Sequence, residues 1–207
     1  MLRRYVQPVC TKGTIMHAMT TRRRLEGLLF MAAFAASIPV ANWMIGNVGT
    51  SCTPGGPCLI PVAPGVAAPS GVLMVGLALV MRDLVQRRLG LGWAAGAILI
   101  GGALSWAVAP PALVVASVAA FLFSEFADLA VFTPLQKHGL VSAVVLSSIV
   151  GIAVDSALFL YLAFGDLAFF WGQVIGKGWM VLAAVPFIAL LRRRDERLGL
   201  APAGVAG

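Results

Sequence analysis

The sequence predicts an all-α integral membrane protein, a bundle of six transmembrane helices, and three observations predict it. Of 207 residues, 60% are hydrophobic and 11% charged, with a mean hydropathy of +0.94. A soluble domain carries about 25% charged residues, so this chain cannot both clothe a water-facing surface and fill a core. The apolar stretches are continuous rather than alternating, which selects helices over a closed barrel as the structure that satisfies its own backbone in lipid. The basic residues fall in clusters between those stretches instead of covering one solvated face. The net charge of +7 therefore speaks for a membrane and against a nucleic-acid partner. Three cysteines exclude a disulfide scaffold and a cysteine-rich zinc module.

A span needs about 20 mostly apolar residues. The segments that meet this run from Leu25 to Ile45, Ala68 to Val85, Leu91 to Val108, Ala112 to Leu135, Leu140 to Phe164 and Leu167 to Leu191. The first is too long for a signal peptide, lacks a small-x-small cleavage site, and is followed by five more spans. Between the first two, Pro54, Pro57, Pro61 and Pro64 rule out regular helix from Asn47 to Ala67. Cys52 and Cys58 in that loop either form a disulfide or stay free thiols. Residues 1–24 read as a basic cytoplasmic tail expected to be disordered, 25–191 as the transporter-like membrane domain, and 192–207 as a cytoplasmic C-terminal tail. Small residues at four-residue spacing, such as Ala32 and Ala36, Gly101 and Ser105, and Gly172 and Gly176, read as packing faces.

Orientation follows from the connections. All of the 15 lysines and arginines except Arg82 and Lys177 fall on one side of a six-span arrangement, and the opposite loops contain none. The positive-inside rule places both termini in the cytoplasm, in a multi-pass protein of the cytoplasmic (inner) membrane.

Arg82 and Lys177 fall within spans, together with Asp83, Glu125, Asp128 and Asp155. A charge at mid-bilayer costs about 3 kcal/mol, so these groups must face one another or a wet cavity. At about 1.5 Å per residue from the outer end of each span, Asp155 lies about 14 Å deep, Lys177 about 15, Glu125 about 20, Arg82 about 21 and Asp128 about 24. Four helices thus deliver charge to a slab near the midplane, where transporter sites are found. Glu125 and Asp128 are one helical turn apart; Ser148, Gly151, Asp155 and Phe159 share a face, as do Gln173, Gly176, Lys177 and Met180. The alternative to a binding site is a set of structural ion pairs, Arg82 with Asp83, Lys177 with one carboxylate, or Asp83 with Arg87 or Arg88.

Several classes of function fall away. No GxxxxGK[ST] loop occurs, so the chain does not hydrolyse ATP by that route. His17 and His138 lie outside the spans, which leaves no histidine metal site and no base for Ser124 or Ser156 as nucleophiles. A membrane-embedded hydrolase using Asp128 and Asp155 around a water remains as a rival to transport.

The strings MRDLVQRRLG (Met81 to Gly90), FLFSEFADLAVFTPLQ (Phe121 to Gln136), VGIAVDSALFLYLAFG (Val150 to Gly165) and GQVIGK (Gly172 to Lys177) stand in this order, with Ala41-Asn42 and APSGVLMVGLAL before them. Together they resemble the queuosine precursor transporters of the vitamin-uptake-transporter type, over about Leu25 to Leu191. The Pro- and Cys-containing outer loop departs from that pattern, and the tail before Arg22 lies outside it. The resemblance implies a six-helix bundle like the substrate-binding subunits of energy-coupling-factor importers. It also implies import of 7-cyano- or 7-aminomethyl-7-deazaguanine; the alternative within transport is a vitamin-binding subunit of such an importer, with Ala32 and Ala36 facing a partner.

Chemistry connects the two readings. A 7-deazaguanine presents N1–H and a 2-amino group side by side, which fit one carboxylate in a bidentate pair, Glu125 or Asp128. With carbon at position 7, the base offers Arg82 only a single contact at O6, which Gln173 or Asn42 could equally supply. Phe121, Phe132 or Phe159 is available to stack. The candidate substrate-binding set is Asn42, Arg82, Asp83, Gln86, Glu125, Asp128, Asp155, Gln173 and Lys177. Glu125 and Asp128 are expected to act differently, one gripping the donor edge and the other exchanging protons with the cavity; if both are locked in ion pairs, uptake is facilitated diffusion. No catalytic residue, cofactor or metal is expected. The partners expected are a small nucleobase and membrane lipid but no nucleic acid; a homodimer is compatible, and an ATPase module is neither required nor excluded.

Overall fold

The computed structural model describes residues 12–52 and 56–200. Six long α-helices run in order as α1 (Lys12–Asn47), α2 (Val72–Leu89), α3 (Leu91–Val108), α4 (Val114–Leu135), α5 (Leu140–Phe164) and α6 (Phe170–Leu198). The bounds of α3 and α5 coincide with those expected from the sequence. The joints are chemically legible. Gly90, at φ 98°, turns the chain between α2 and α3 with no further residue, a conformation open to glycine and costly to others. Pro110 ends α3, and Pro111 opens a short 3-10 turn (Pro111–Leu113) leading into α4.

Three expectations need correction. Helix α1 begins at Lys12, inside the segment expected to be a disordered tail, and residues 1–11 lie outside the described residues. Helix α6 continues through the basic cluster to Leu198 instead of ending at the bilayer, because Arg194 and Asp195 there are tied into the bundle. The fold is also not purely helical. The loop after α1 forms a small antiparallel sheet of β1 (Ser51–Cys52), β2 (Cys58–Ala63) and β3 (Val66–Pro69), in that order. Pro61 is tolerated in β2 because β1 pairs only with Cys58 and Leu59; beyond them that side of β2 has no strand partner among the described residues, so no ladder hydrogen bond is lost at the proline. By length and composition alone, five of the six helices are apolar enough to cross a membrane; α2 falls short of that measure because Arg82, Asp83, Arg87 and Arg88 lie within it.

Helix α2 is accommodated by burial. It packs against α1, α3, α5 and α6, and from Arg82 to Arg88 its side chains are all buried. Leu79, Val80 and Leu84 join Phe132 of α4, Val144 and Ile152 of α5 and Val181 and Ile188 of α6 in the main apolar cluster. The exterior shows the reverse chemistry: Trp43, Trp106, Phe123, Trp171 and Leu190 are all more than half exposed. Arg82 and Lys177 inside, with tryptophan and leucine outside, invert the pattern of a soluble domain and suit a lipid surround. The chain is a multi-pass, mainly helical membrane protein.

The sheet is fastened over one end of the bundle. Trp179 Nε1 of α6 donates to the Val62 carbonyl at 2.8 Å, and Ser70 Oγ donates to the Met44 carbonyl of α1 at 2.7 Å. Val62, Ala68 and Val72 form a small apolar cluster beneath it. Cys52 and Cys58, opposite one another in β1 and β2, are joined in a disulfide.

The opposite end is held by arginines. Arg88 of α2 donates to both Asp195 oxygens (2.8 and 2.9 Å) and pairs with Glu26 of α1 at 3.0 Å. Arg194 of α6 also pairs with Glu26, at 2.5 Å, and Arg23 donates to the carbonyls of Arg87 and Arg88. Asp83 does not pair with Arg87 or Arg88; its partner is Arg82, as described below.

Candidate functional site

A cavity of about 500 Å³ lies in the half of the bundle under the sheet. Every helix contributes to it except at its arginine-end portions: Ser37 and Asn42 from α1, Val72 and Leu79 from α2, Ser105 from α3, Phe121, Ser124 and Glu125 from α4, Asp155 and Phe159 from α5, Gln173 and Lys177 from α6. Gly56, Pro57 and Pro69 of the sheet region line its mouth. The walls meet closely because of glycines. A Cβ on Gly76 of α2 would run into the backbone carbonyl of Lys177, and one on Gly176 into Val72, so only glycine lets α2 and α6 touch at this depth.

The intramembrane charges divide into two networks. The deeper centres on Arg82, fully buried, which lies 2.7 Å from Asp83 Oδ1, 3.0 Å from Glu125 Oε2 and 2.6 Å from Asp128 Oδ1. Ser147 Oγ donates to the second Asp83 oxygen at 3.2 Å, and the Phe132 ring lies 6.0 Å from the guanidinium carbon. Three carboxylates share one guanidinium, so each has a cation within 3.0 Å, while a single positive charge is set against three acidic groups. The shallower network centres on Lys177, whose ammonium donates to Asp155 Oδ2 (2.6 Å), Ser156 Oγ (2.9 Å) and Gln173 Oε1 (2.6 Å). The sequence places these charges in a single slab near the midplane; the structure resolves that slab into two networks.

Of the expected site residues, Asn42, Glu125, Asp155, Gln173 and Lys177 line the cavity. Arg82, Asp83, Asp128 and Gln86 do not; this corrects the expectation that they meet a ligand there. Arg82 and its two aspartates lie behind Glu125 in ion-pair contact, and Gln86 donates to Thr133 Oγ1 at 2.9 Å. Glu125 is the one group common to the deeper network and the cavity. Among the aromatics, Phe121 and Phe159 line the cavity, whereas Phe132 is buried beneath Arg82. Ser37, Ser117 and Phe164, which the sequence does not single out, also line the cavity, as does Ser105, which its spacing assigns to packing. Serines inside otherwise apolar helices were the available signal.

The geometry bears on the chemistry the cavity can perform. Asp128 and Asp155 belong to separate ion networks, and of the two only Asp155 lines the cavity. Among the described residues no group of histidine, cysteine and carboxylate side chains is placed to hold a metal ion. What the cavity does offer is a carboxylate floor, a polar wall from α5 and α6, and aromatic faces, a combination suited to binding a small flat polar molecule.

Comparison with known proteins gives one likeness. No curated protein and no solved structure matches the chain. Residues 103–191 match the family model described as "Putative vitamin uptake transporter". The match covers less than half of the chain, from the end of α3 through most of α6. It takes in Glu125, Asp155, Gln173 and Lys177 and leaves out Asn42 and Arg82. Over that stretch, the chain is similar to a family of vitamin uptake transporters.

Proposed function

We propose that the chain imports a small flat nucleobase, a queuosine precursor such as 7-cyano- or 7-aminomethyl-7-deazaguanine, across the cytoplasmic membrane. The observation that carries this reading is the cavity under the sheet, with the Glu125 carboxylate at its floor and Phe121 and Phe159 in its walls. A base of this kind presents adjacent N–H donors to a carboxylate and a flat face to an aromatic ring. The order of the RDLVQ, SEFAD, VDS and GQVIGK strings supports the same reading, as does the likeness over residues 103–191 to the vitamin uptake family.

In this proposal all six helices span the bilayer. Helix α2 does so with its charges turned into the protein, so lipid never meets them. The positive-inside rule puts the arginine end and both termini in the cytoplasm and the sheet outside. The cavity then faces outward, and the network of Glu26, Arg88, Arg194 and Asp195 closes the inner end.

The test is expression in a cell that cannot make the base but can use it. Restoration of queuosine in tRNA at low external precursor supports the reading; failure, with the protein present in the membrane, overturns it. A second reading, a vitamin-binding subunit of an energy-coupling-factor importer, draws on one observation: Ala32 and Ala36 of α1 are exposed, leaving a small-residue strip for a partner. Uptake that depends on an added ATPase module would favour it.

A further inference from the structure

We infer that Lys177 does not touch the substrate but positions its neighbours, and that Gln173 is the specificity-determining residue, reading an acceptor oxygen on the bound base. This deepens the reading of the cavity as a base site and rests on it.

An ammonium has three N–H donors and no acceptor. At Lys177 all three are used, on Asp155 Oδ2, Ser156 Oγ and Gln173 Oε1, and the side chain is 1% exposed. Nothing is left with which Lys177 could bind a ligand. The same contact settles the orientation of the Gln173 amide. A group that only donates must face the amide oxygen, so the hydrogen-bonding capacity left to Gln173 is its N–H2, which has no partner among the described residues. Asp155 keeps Oδ1 as a free acceptor because Oδ2 is taken by Lys177, and Glu125 keeps Oε1 because Oε2 is taken by Arg82.

Gln173, Asp155 and Glu125 all line the one cavity. Its wall therefore offers a donor, the Gln173 N–H2, and an acceptor, Asp155 Oδ1, on two groups whose other polar atoms each lie 2.6 Å from a single ammonium, and a second acceptor at the floor. The ligand chemistry that answers this pattern is a planar lactam with one more N–H. The ring carbonyl accepts from Gln173, and the ring N–H and the further donor give to the carboxylates. Arg82, enclosed by its three carboxylates, has no part in reading the carbonyl.

The experiment measures binding of two bases to the full chain in detergent: 2-amino-6-oxo-7-deazapurine and its 6-thioxo counterpart. The second keeps the ring N–H but exchanges the oxygen for a weak sulfur acceptor. The wild type is expected to prefer the oxo base. Gln173→Glu keeps an acceptor for the ammonium but removes the N–H2, and it should lower the oxo-to-thioxo preference at least about fivefold. Lys177→Met, which releases the amide, should lower it likewise; if that variant does not fold, Gln173→Glu alone decides. A purely structural role would weaken both bases alike and leave the ratio unmoved. An unchanged ratio in a folded Gln173→Glu protein overturns the inference while leaving the base reading intact. A wild type that binds neither base overturns the base reading itself, and the inference with it.

Discussion

Arg82 Nε lies 3.0 Å from Glu125 Oε2, and this contact joins the buried charge network to the floor of the cavity. Asp128, one turn further along α4 and 2.6 Å from the same guanidinium, is shut away from the cavity. The two carboxylates therefore have different duties. Glu125→Gln should weaken base binding by about tenfold or more, since the amide oxygen is drawn to Arg82 and an N–H2 then faces the base where the carboxylate's free oxygen accepted. Asp128→Asn should leave binding within about threefold, because Asp128 meets no ligand; the threefold bound allows for one altered hydrogen bond behind the site. Titration calorimetry on the two purified variants distinguishes them, and equal losses would contradict the assignment.

Arg82→Met should be among the most damaging substitutions in the chain. It leaves Asp83, Glu125 and Asp128 facing one another with no cation, and breaking a buried pair in this way costs about 3–5 kcal/mol. Thermal unfolding in detergent should show a large fall in Tm. An unchanged Tm would mean that the network contributes nothing to the fold.

Glycine at position 76 is needed for close packing, whereas at 178 it is not. A Cβ on Gly76 meets the Lys177 backbone, which cannot move aside without carrying the Lys177 network with it; at Gly178 nothing lies within 4 Å. Gly76→Ala should destabilise by about 1–3 kcal/mol and reduce uptake, while Gly178→Ala should match the wild type in both. The pair of variants, measured side by side for Tm and transport, checks the α2–α6 contact.

The arginine end should loosen without harming the cavity when Asp195 is neutralised. Asp195 is fully buried and accepts from Arg87 and Arg88, so Asp195→Asn leaves charged donors short of a partner, at a cost of about 1–3 kcal/mol. Hydrogen exchange should quicken in the segments around Glu26 and Asp195, with base binding retained.

Topology can be read with a reporter enzyme that is active only outside the cytoplasm. Inserted at the exposed Pro64–Gly65 turn between β2 and β3, it should give signal; fused after Leu198, it should give none. The reverse pattern would invert the orientation proposed from the arginine clusters.

Much of this architecture is written in local sequence. Hydropathy places the helices, because a bilayer demands a minimum length of apolar chain whatever surrounds it. The cost of charge in lipid marks Arg82, Glu125, Asp128, Asp155 and Lys177 as inward-facing, and counting residues along each helix brings them to one slab near the midplane. What only the tertiary structure decided is which atoms meet. Helical spacing puts Glu125 and Asp128 on one face, but the cavity's edge falls between them, and its position depends on how α2 sits against α4. Pairing of Lys177 with Gln173 on its own helix and with Asp155 and Ser156 on α5 depends on the α5–α6 distance, which no single segment encodes. The sheet escaped notice because four prolines mark where helix is impossible without saying what replaces it, and strand pairing between β1, β2 and β3 is a non-local choice. Helix α1 continues into the basic segment, where Arg23 donates to the Arg87 and Arg88 carbonyls of α2 and Arg22 pairs with Glu26, contacts that local composition does not reveal.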